Sequence, residues 1–121
     1  MVGYQLRGGV VEITGAKVYS AAEWDTVFND VRNDPAVPDA ALFIIDTREV
    51  QVDMSSVRMI DRVRNLRDRL GSKLGPKCAL VMSGQNALMA RQFQYFAEGT
   101  IHLRVGIFTD PIAAGGWLLA G

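Results

Sequence analysis

The sequence predicts an α/β fold: one domain of order ββαβαβαβα, with a mostly parallel, mixed five-stranded sheet and four helices. Three observations predict it. The apolar runs at 40–45 and 78–82 have the length and continuity of strands buried on both faces. The segments between and beside them repeat apolar residues every three or four positions, which is helix spacing. After an initial strand pair, strand and helix alternate strictly, and alternation implies parallel strands joined by right-handed crossovers. A chain of 121 residues has room for one core, so residues 1–121 form one unit.

The elements follow in order. Tyr4-Gln5-Leu6-Arg7 and Val10-Val11-Glu12-Ile13-Thr14 are two short strands. Gly8-Gly9 between them supplies the positive φ of a tight hairpin, and Gly15 closes the second strand. Ser20 and Glu23 stand at capping-box spacing, so a helix starts there, with Trp24, Val27, Phe28 and Val31 as one apolar stripe. Asn33-Asp34-Pro35 ends it. The strand Ala40–Ile45 stops at Asp46. A second helix runs from about Ser55 or Ser56 to Lys73, with Val57, Ile60, Val63, Leu66, Leu70 and Leu74 inward and five arginines mainly opposite. Gly71 and Gly75-Pro76 terminate it. Cys78–Met82 is the next strand, and Ser83-Gly84 turns into a third helix with Leu88, Met89, Phe93, Phe96 and Ala97 inward and Gly99 as its stop. Ile101–Phe108 is the last strand. Asp110-Pro111 then gives an N-cap and a proline at the first helical position of a short closing helix.

Composition narrows the function classes. Hydrophobic residues make up 49% of the chain and charged residues 21%, as in an ordinary globular protein. No stretch approaches the roughly 18 apolar residues of a membrane span. Met1–Gly9 lacks the basic-then-apolar layout of a secretory signal. A lone cysteine, Cys78, excludes a disulfide framework and fits a reducing compartment, so a soluble, cytoplasmic protein is expected. Net charge is zero, yet residues 20–53 hold eight acids against two arginines, while residues 54–77 hold seven bases against two aspartates. Either these are two solvated helix faces, or Arg58, Arg62 and Arg69 form a basic surface for an acidic protein partner or the acidic segment of a second copy, so a homodimer is allowed. With zero net charge and no aromatics among the arginines, nucleic-acid binding is not expected.

No constellation dictates a reaction. His102 is the single histidine and has no partner that spacing can name. Ser83, His102 and Asp110 make a triad only on paper, because no Gly-x-Ser-x-Gly turn is present. Gly84 opens a helix without the Gly-Lys-Ser/Thr ending of a phosphate loop. Asp46, Asp53 and Asp61 lack a histidine to complete a metal set. Cys78 starts a buried strand and is read as packing. No catalytic residue, metal or cofactor is therefore expected.

Glu23-Trp24 early in the first helix, a strand ending in Asp46, Met89-Ala90-Arg91-Gln92-Phe93 on the third helix, and Phe108-Thr109-Asp110 before Trp117-Leu118 occur in this order over nearly the whole length. This arrangement resembles the SpoIIAA-like members of the anti-sigma-factor antagonist (STAS) domains. The resemblance implies a regulatory, protein-binding module rather than an enzyme. It also implies a serine phosphorylated at the entry to the second helix, which aligns with Ser55 and Ser56. The neighbours depart from that pattern, with Met54 and Val57 where the family has aspartate and glycine. The same serines are also what an N-cap requires, and both readings stay open. Arg91 falls where the family has an arginine, and with Asp46 it makes a candidate ligand cleft; its bland alternative is a stem packed over the core. Some SpoIIAA-like proteins are grouped with lipid-binding SEC14-type folds. The second functional class is therefore a carrier of a small apolar ligand, with Leu88, Met89, Phe93, Phe96, Trp117 and Leu118 as pocket candidates.

Overall fold

The computed structural model describes residues 2–18, 21–51 and 58–120. Its elements are β1 (Val2–Arg7), β2 (Val10–Val18), α1 (Ala21–Asn33), β3 (Ala41–Gln51), α2 (Met59–Leu70), β4 (Leu74–Val81), α3 (Ala87–Thr100), β5 (Arg104–Phe108) and α4 (Pro111–Leu119). Short 3-10 turns at Gly71–Lys73 and Gly84–Asn86 precede β4 and α3. The class is α/β, with one five-stranded sheet and four helices. The sheet runs β1-β2-β3-β4-β5; β1 is antiparallel to β2 and every other neighbour is parallel. Gly8 and Gly9 turn the hairpin at φ 55° and 81°, a region that glycine enters without a side-chain clash.

Strand order decides how the sheet is covered. Because β2 to β5 lie side by side in chain order, crossovers of one hand leave α1, α2 and α3 on the same face. Alternation along each strand then sorts the core. Val11, Ile13, Phe43, Ile45, Cys78, Leu80 and Val105 pack with α1, α2 and α3, while Val10, Ile44, Ala79 and Val81 pack with Ala114 and Leu118 of α4. The α1 stripe is as expected, with Trp24, Val27, Phe28 and Val31 all buried.

Several boundaries move, each for a physical reason. Gly15 lies inside β2 rather than at its end: a Cβ there would stand 2.8 Å from Trp24 Cζ2 and 2.9 Å from Val50 Cγ2, so the missing side chain makes room for the indole. β3 passes Asp46 and continues to Gln51. Gly71, at φ 56°, ends α2 with its N–H on the Arg67 carbonyl, and Gly75-Pro76 belongs to β4. Proline has no N–H to give the ladder, and the β3–β4 register skips there, from Ala41↔Leu74 to Phe43↔Cys78. Gly99 lies within α3. The helix stops instead before His102, which takes a left-handed φ of 55° while Leu103 N–H turns back to the Ala97 carbonyl. α3 is also rotated from its expected face. Ala90 and Ala97 are fully buried and bring it close to the sheet, and Leu88 is 72% exposed.

That rotation has a use. Val105, on the outer strand, directs its N–H and C=O away from β4; Glu98 Oε2 accepts from the N–H at 3.3 Å and Gln94 Nε2 donates to the C=O at 2.8 Å. Two α3 side chains thereby close an edge that would otherwise expose unpaired backbone. Asn86 does the same for the part of β3 that outruns β4, donating to the Thr47 and Val50 carbonyls at 3.4 and 3.2 Å. On the far side, Lys73 Nζ donates to the Asp34 and Val37 carbonyls, and Tyr4 O–H donates to Asp34 Oδ2 at 2.8 Å. These contacts tie the α1–β3 connection to β1 and to the end of α2.

Two predictions follow from this packing. Gly75→Ala would place a Cβ 2.3 Å from the Ala41 carbonyl oxygen. It should cost about 2–3 kcal/mol by overpacking, whereas Gly99→Ala, with open space around it, should gain up to about 1 kcal/mol in helix propensity. Equal effects in urea unfolding would contradict the register. The second concerns pH. The Ala36 N–H and the Tyr4 hydroxyl hold the Asp34 carboxyl below its ordinary value of 3.8, and the bond to Asp34, followed by burial, raises the Tyr4 hydroxyl above 10.0. The lowered carboxyl contributes stability above its unfolded pKa and loses it as pH falls through the folded one; the raised phenol contributes below its unfolded pKa and loses it as pH rises through the folded one. Tyr4→Phe should therefore be destabilising near neutrality, with the gap to wild type narrowing as pH falls below the ordinary carboxyl value of 3.8 and as it rises above the ordinary phenol value of 10.0. A gap constant across that range would show that the bond has no energetic role.

Candidate functional site

Three helices laid on a twisted sheet do not close completely, and an apolar cleft of about 90 Å³ remains between them, open to solvent. Ile45 and Leu80 form its floor, from adjacent strands. α1 supplies Trp24 and Phe28, one turn apart with ring centroids 6.1 Å from each other. α2 supplies Met59 and Leu66, and α3 supplies Met89 and Phe93. Two unbranched methionines on opposite walls can change rotamer to fit a guest, which branched side chains cannot do as freely. The cleft is smaller than the roughly 150 Å³ cavity that admits benzene. Its volume has room for one end of a small molecule and not for the whole of it.

Its polar groups are few and held in place. Thr47 lines the cleft, and its Oγ1 donates to the Val81 carbonyl at 3.0 Å. Arg62 is mostly buried and reaches Asp25 on α1 at 3.2 Å. Asp25 also accepts from Asn65 and lies 3.5 Å from Arg69, whose Nε donates to Asn65 Oδ1 at 2.7 Å. One α1 carboxylate is thus bracketed by two arginines and an amide of α2, and fixes the width of the cleft on that side.

A second, wider depression of about 350 Å³ lies over the β1–β2 hairpin, lined by Gln5, Arg7, Glu12 and Thr14. It is the larger by volume, yet it is the bare polar face of the β1–β2 hairpin at the sheet's edge. The apolar cleft is the better candidate binding site, since small-molecule sites are mostly apolar and concave.

The residues singled out from the sequence fall as follows. Ser55 and Ser56 lie outside the described residues. Arg62 and Arg69 face α1 within the same chain, so part of the opposed charge of the two segments is satisfied in cis; Arg58 is exposed and sits 4.0 Å from Asp61. Asp46 and Arg91 are not brought together. Asp46 follows Ile44 on the α4 face and is chelated by Arg48 at 2.7 Å, raising the pKa of that guanidinium, whereas Arg91 is exposed on α3, across the sheet. Of the pocket candidates, Met89 and Phe93 line the cleft and Phe96 packs against the same core, while Trp117 and Leu118 belong to the opposite face. His102 stands at the N-terminal end of β5, whereas Ser83 and Asp110 follow the C-terminal ends of β4 and β5, so the paper triad is never assembled. Ser83 Oγ is buried with no hydrogen-bond partner among the described residues. Cys78 is fully buried, and burial pushes its thiol up to about 12, leaving it protonated and unreactive at neutral pH. Among the described residues no three of His, Cys, Asp or Glu gather to hold a metal ion, and no helix is long and apolar enough to cross a membrane.

Sequence reading missed Thr47, Asn86 and the α1 contribution to the cleft. The α1 stripe was legible as core, but nothing in its spacing distinguishes a residue that fills the core from one that lines a gap. No protein-family model, curated protein or solved structure compared with the chain matches it.

Proposed function

We propose that this chain is a non-catalytic ligand-binding domain whose cleft between α1, α2 and α3 takes the apolar end of a small amphipathic molecule. The observation that carries the proposal is the composition of the cleft. Aromatic, aliphatic and methionine side chains from three helices and two strands converge on one solvent-open gap, with Arg62 and Thr47 as its polar groups. Apolar walls supply affinity, and a few fixed polar groups supply orientation. The resemblance to SpoIIAA-like domains, some of them grouped with lipid-binding folds, supports the same reading, as does the lone thiol, which suits a cytoplasmic setting. The regulatory-module reading draws less support from the geometry, because two of its three surface arginines bind Asp25 in their own chain.

Calorimetric titration with straight-chain carboxylates and alcohols of increasing length tests the proposal. Affinity should rise by about 0.8 kcal/mol per methylene until the cleft is full, then level off. Met89→Trp should fill the cleft and weaken binding at least about tenfold with little loss of stability, since the larger side chain has space to enter. Absence of binding along both series, or equal binding by Met89→Trp, would refute the assignment.

A further inference from the structure

α4 is apolar on every side. From Pro111 to Leu119 it carries no charged side chain, and the Trp117 indole N–H is its one side-chain hydrogen-bonding group. Ala114 and Leu118 face the sheet, and Trp117 packs on Phe108 with ring centroids 5.6 Å apart. The opposite side is exposed: Ile112 at 83% and Leu119 at 67%, with Ala113 and Gly116 between them. A helix with one face in solvent normally keeps that face polar. Ile112 and Leu119 are seven residues apart, two turns along the same side, about 10 Å.

The ends of this strip carry opposite charge. Asp110 caps the N-terminus, its Oδ1 accepting from Ile112 N–H at 3.0 Å, and is itself exposed. At the other end stand Lys77 and Arg104, direct neighbours across β4 and β5. Lys77 Nζ lies 5.0 Å from the Trp117 ring centroid and Arg104 Cζ 5.7 Å from it. Neither cation enters an ion pair among the described residues. Two like charges side by side in a sheet repel, and the pair calls for an anion.

We propose that the outer face of α4 is the contact between two copies of this chain, packed antiparallel about a two-fold axis near Gly116. That symmetry sets Ile112 of each copy against Leu119 of the other. It also carries each Asp110 to the Lys77 and Arg104 of its partner, giving an apolar centre with a charged rim, as isologous interfaces have. An anionic lipid surface would attract Lys77 and Arg104 but leave Asp110 repelled beside Ile112, whereas a second copy gives all three charges an opposite partner. One short helix per copy is a small interface, so the association is weak and concentration-dependent, in about the micromolar range. The ligand cleft lies across the sheet and stays open in both copies, so the dimer does not depend on that reading.

Sedimentation velocity over a wide concentration range tests it. Wild type should pass from monomer to dimer. Ile112→Arg, at a position that contributes little to the monomer's packing, should raise the dissociation constant at least about tenfold. Asp110→Arg and the pair Lys77→Glu with Arg104→Glu should each weaken the dimer, because like charges then meet, and combining all three should restore it. Thermal unfolding of each variant separates lost association from lost fold. A chain that stays monomeric throughout, a triple variant no better than its parents, or a monomer that pellets with phosphatidylglycerol vesicles would overturn the proposal.

Discussion

Everything distinctive in this molecule descends from one topological constraint: the four parallel strands lie in the sheet in the order in which the chain makes them. Crossovers of one hand between strands that advance in one direction place successive helices on one face. α1, α2 and α3 must therefore share a face, and only α4, after the last strand, crosses to the other. The crowded face must accommodate three helices side by side, and the gap among them is the cleft. The sparse face has a single short helix over β3, β4 and β5 and leaves the β1–β2 ribbon bare.

The constraint also creates backbone that the sheet cannot satisfy, and side chains satisfy it. Val105 at the outer strand is met by Gln94 and Glu98, and the overhang of β3 is met by Asn86. These four bonds come from α3 and the turn that precedes it, so α3 is held by polar contacts at both ends as well as by its alanine seam. Buried or half-buried backbone groups left unpaired would each cost about 1–3 kcal/mol, which is reason enough for polar residues on a helix that otherwise reads as apolar. The Asp25 cluster fixes α1 against α2 in the same way, and its position beside the cleft links the integrity of the helix pair to the shape of the site.

Much of the fold was legible because it is written in periodicity. The α1 stripe, the runs at 40–45 and 78–82, and the Asp110-Pro111 start of α4 depend on local chemistry alone, and the structure places a helix or strand at each, with Ala40 and Met82 falling just outside their strands. The misplaced boundaries depend on neighbours far away in sequence. Gly15 and Gly75 look like breakers, but each lies within a strand because an indole or a carbonyl from elsewhere fills the space of its side chain. Gly99 has helix on both sides, whereas His102, which carries a Cβ, takes the left-handed turn. Thr47 and Asn86 carry no signature at all, since their roles exist only once β3 outruns β4. The cleft itself was invisible for a simpler reason. An apolar residue at helical spacing reads the same whether it fills a core or borders a gap, and Arg62 and Arg69 read as solvated or as facing an acidic partner until α1 brings Asp25 to them.

The proposed function divides labour between the two faces: a guest would enter on the three-helix side, and the α4 side would be closed to it. Methyl-resolved NMR during addition of a short straight-chain alcohol such as butanol observes both faces at once. The methyl groups of Ile45, Leu66, Leu80, Met59 and Met89 should shift together and saturate, while those of Val10, Ile44, Val81 and Leu118 hold still. Shifts confined to the α4 face, or no saturable shift on either face, would contradict it.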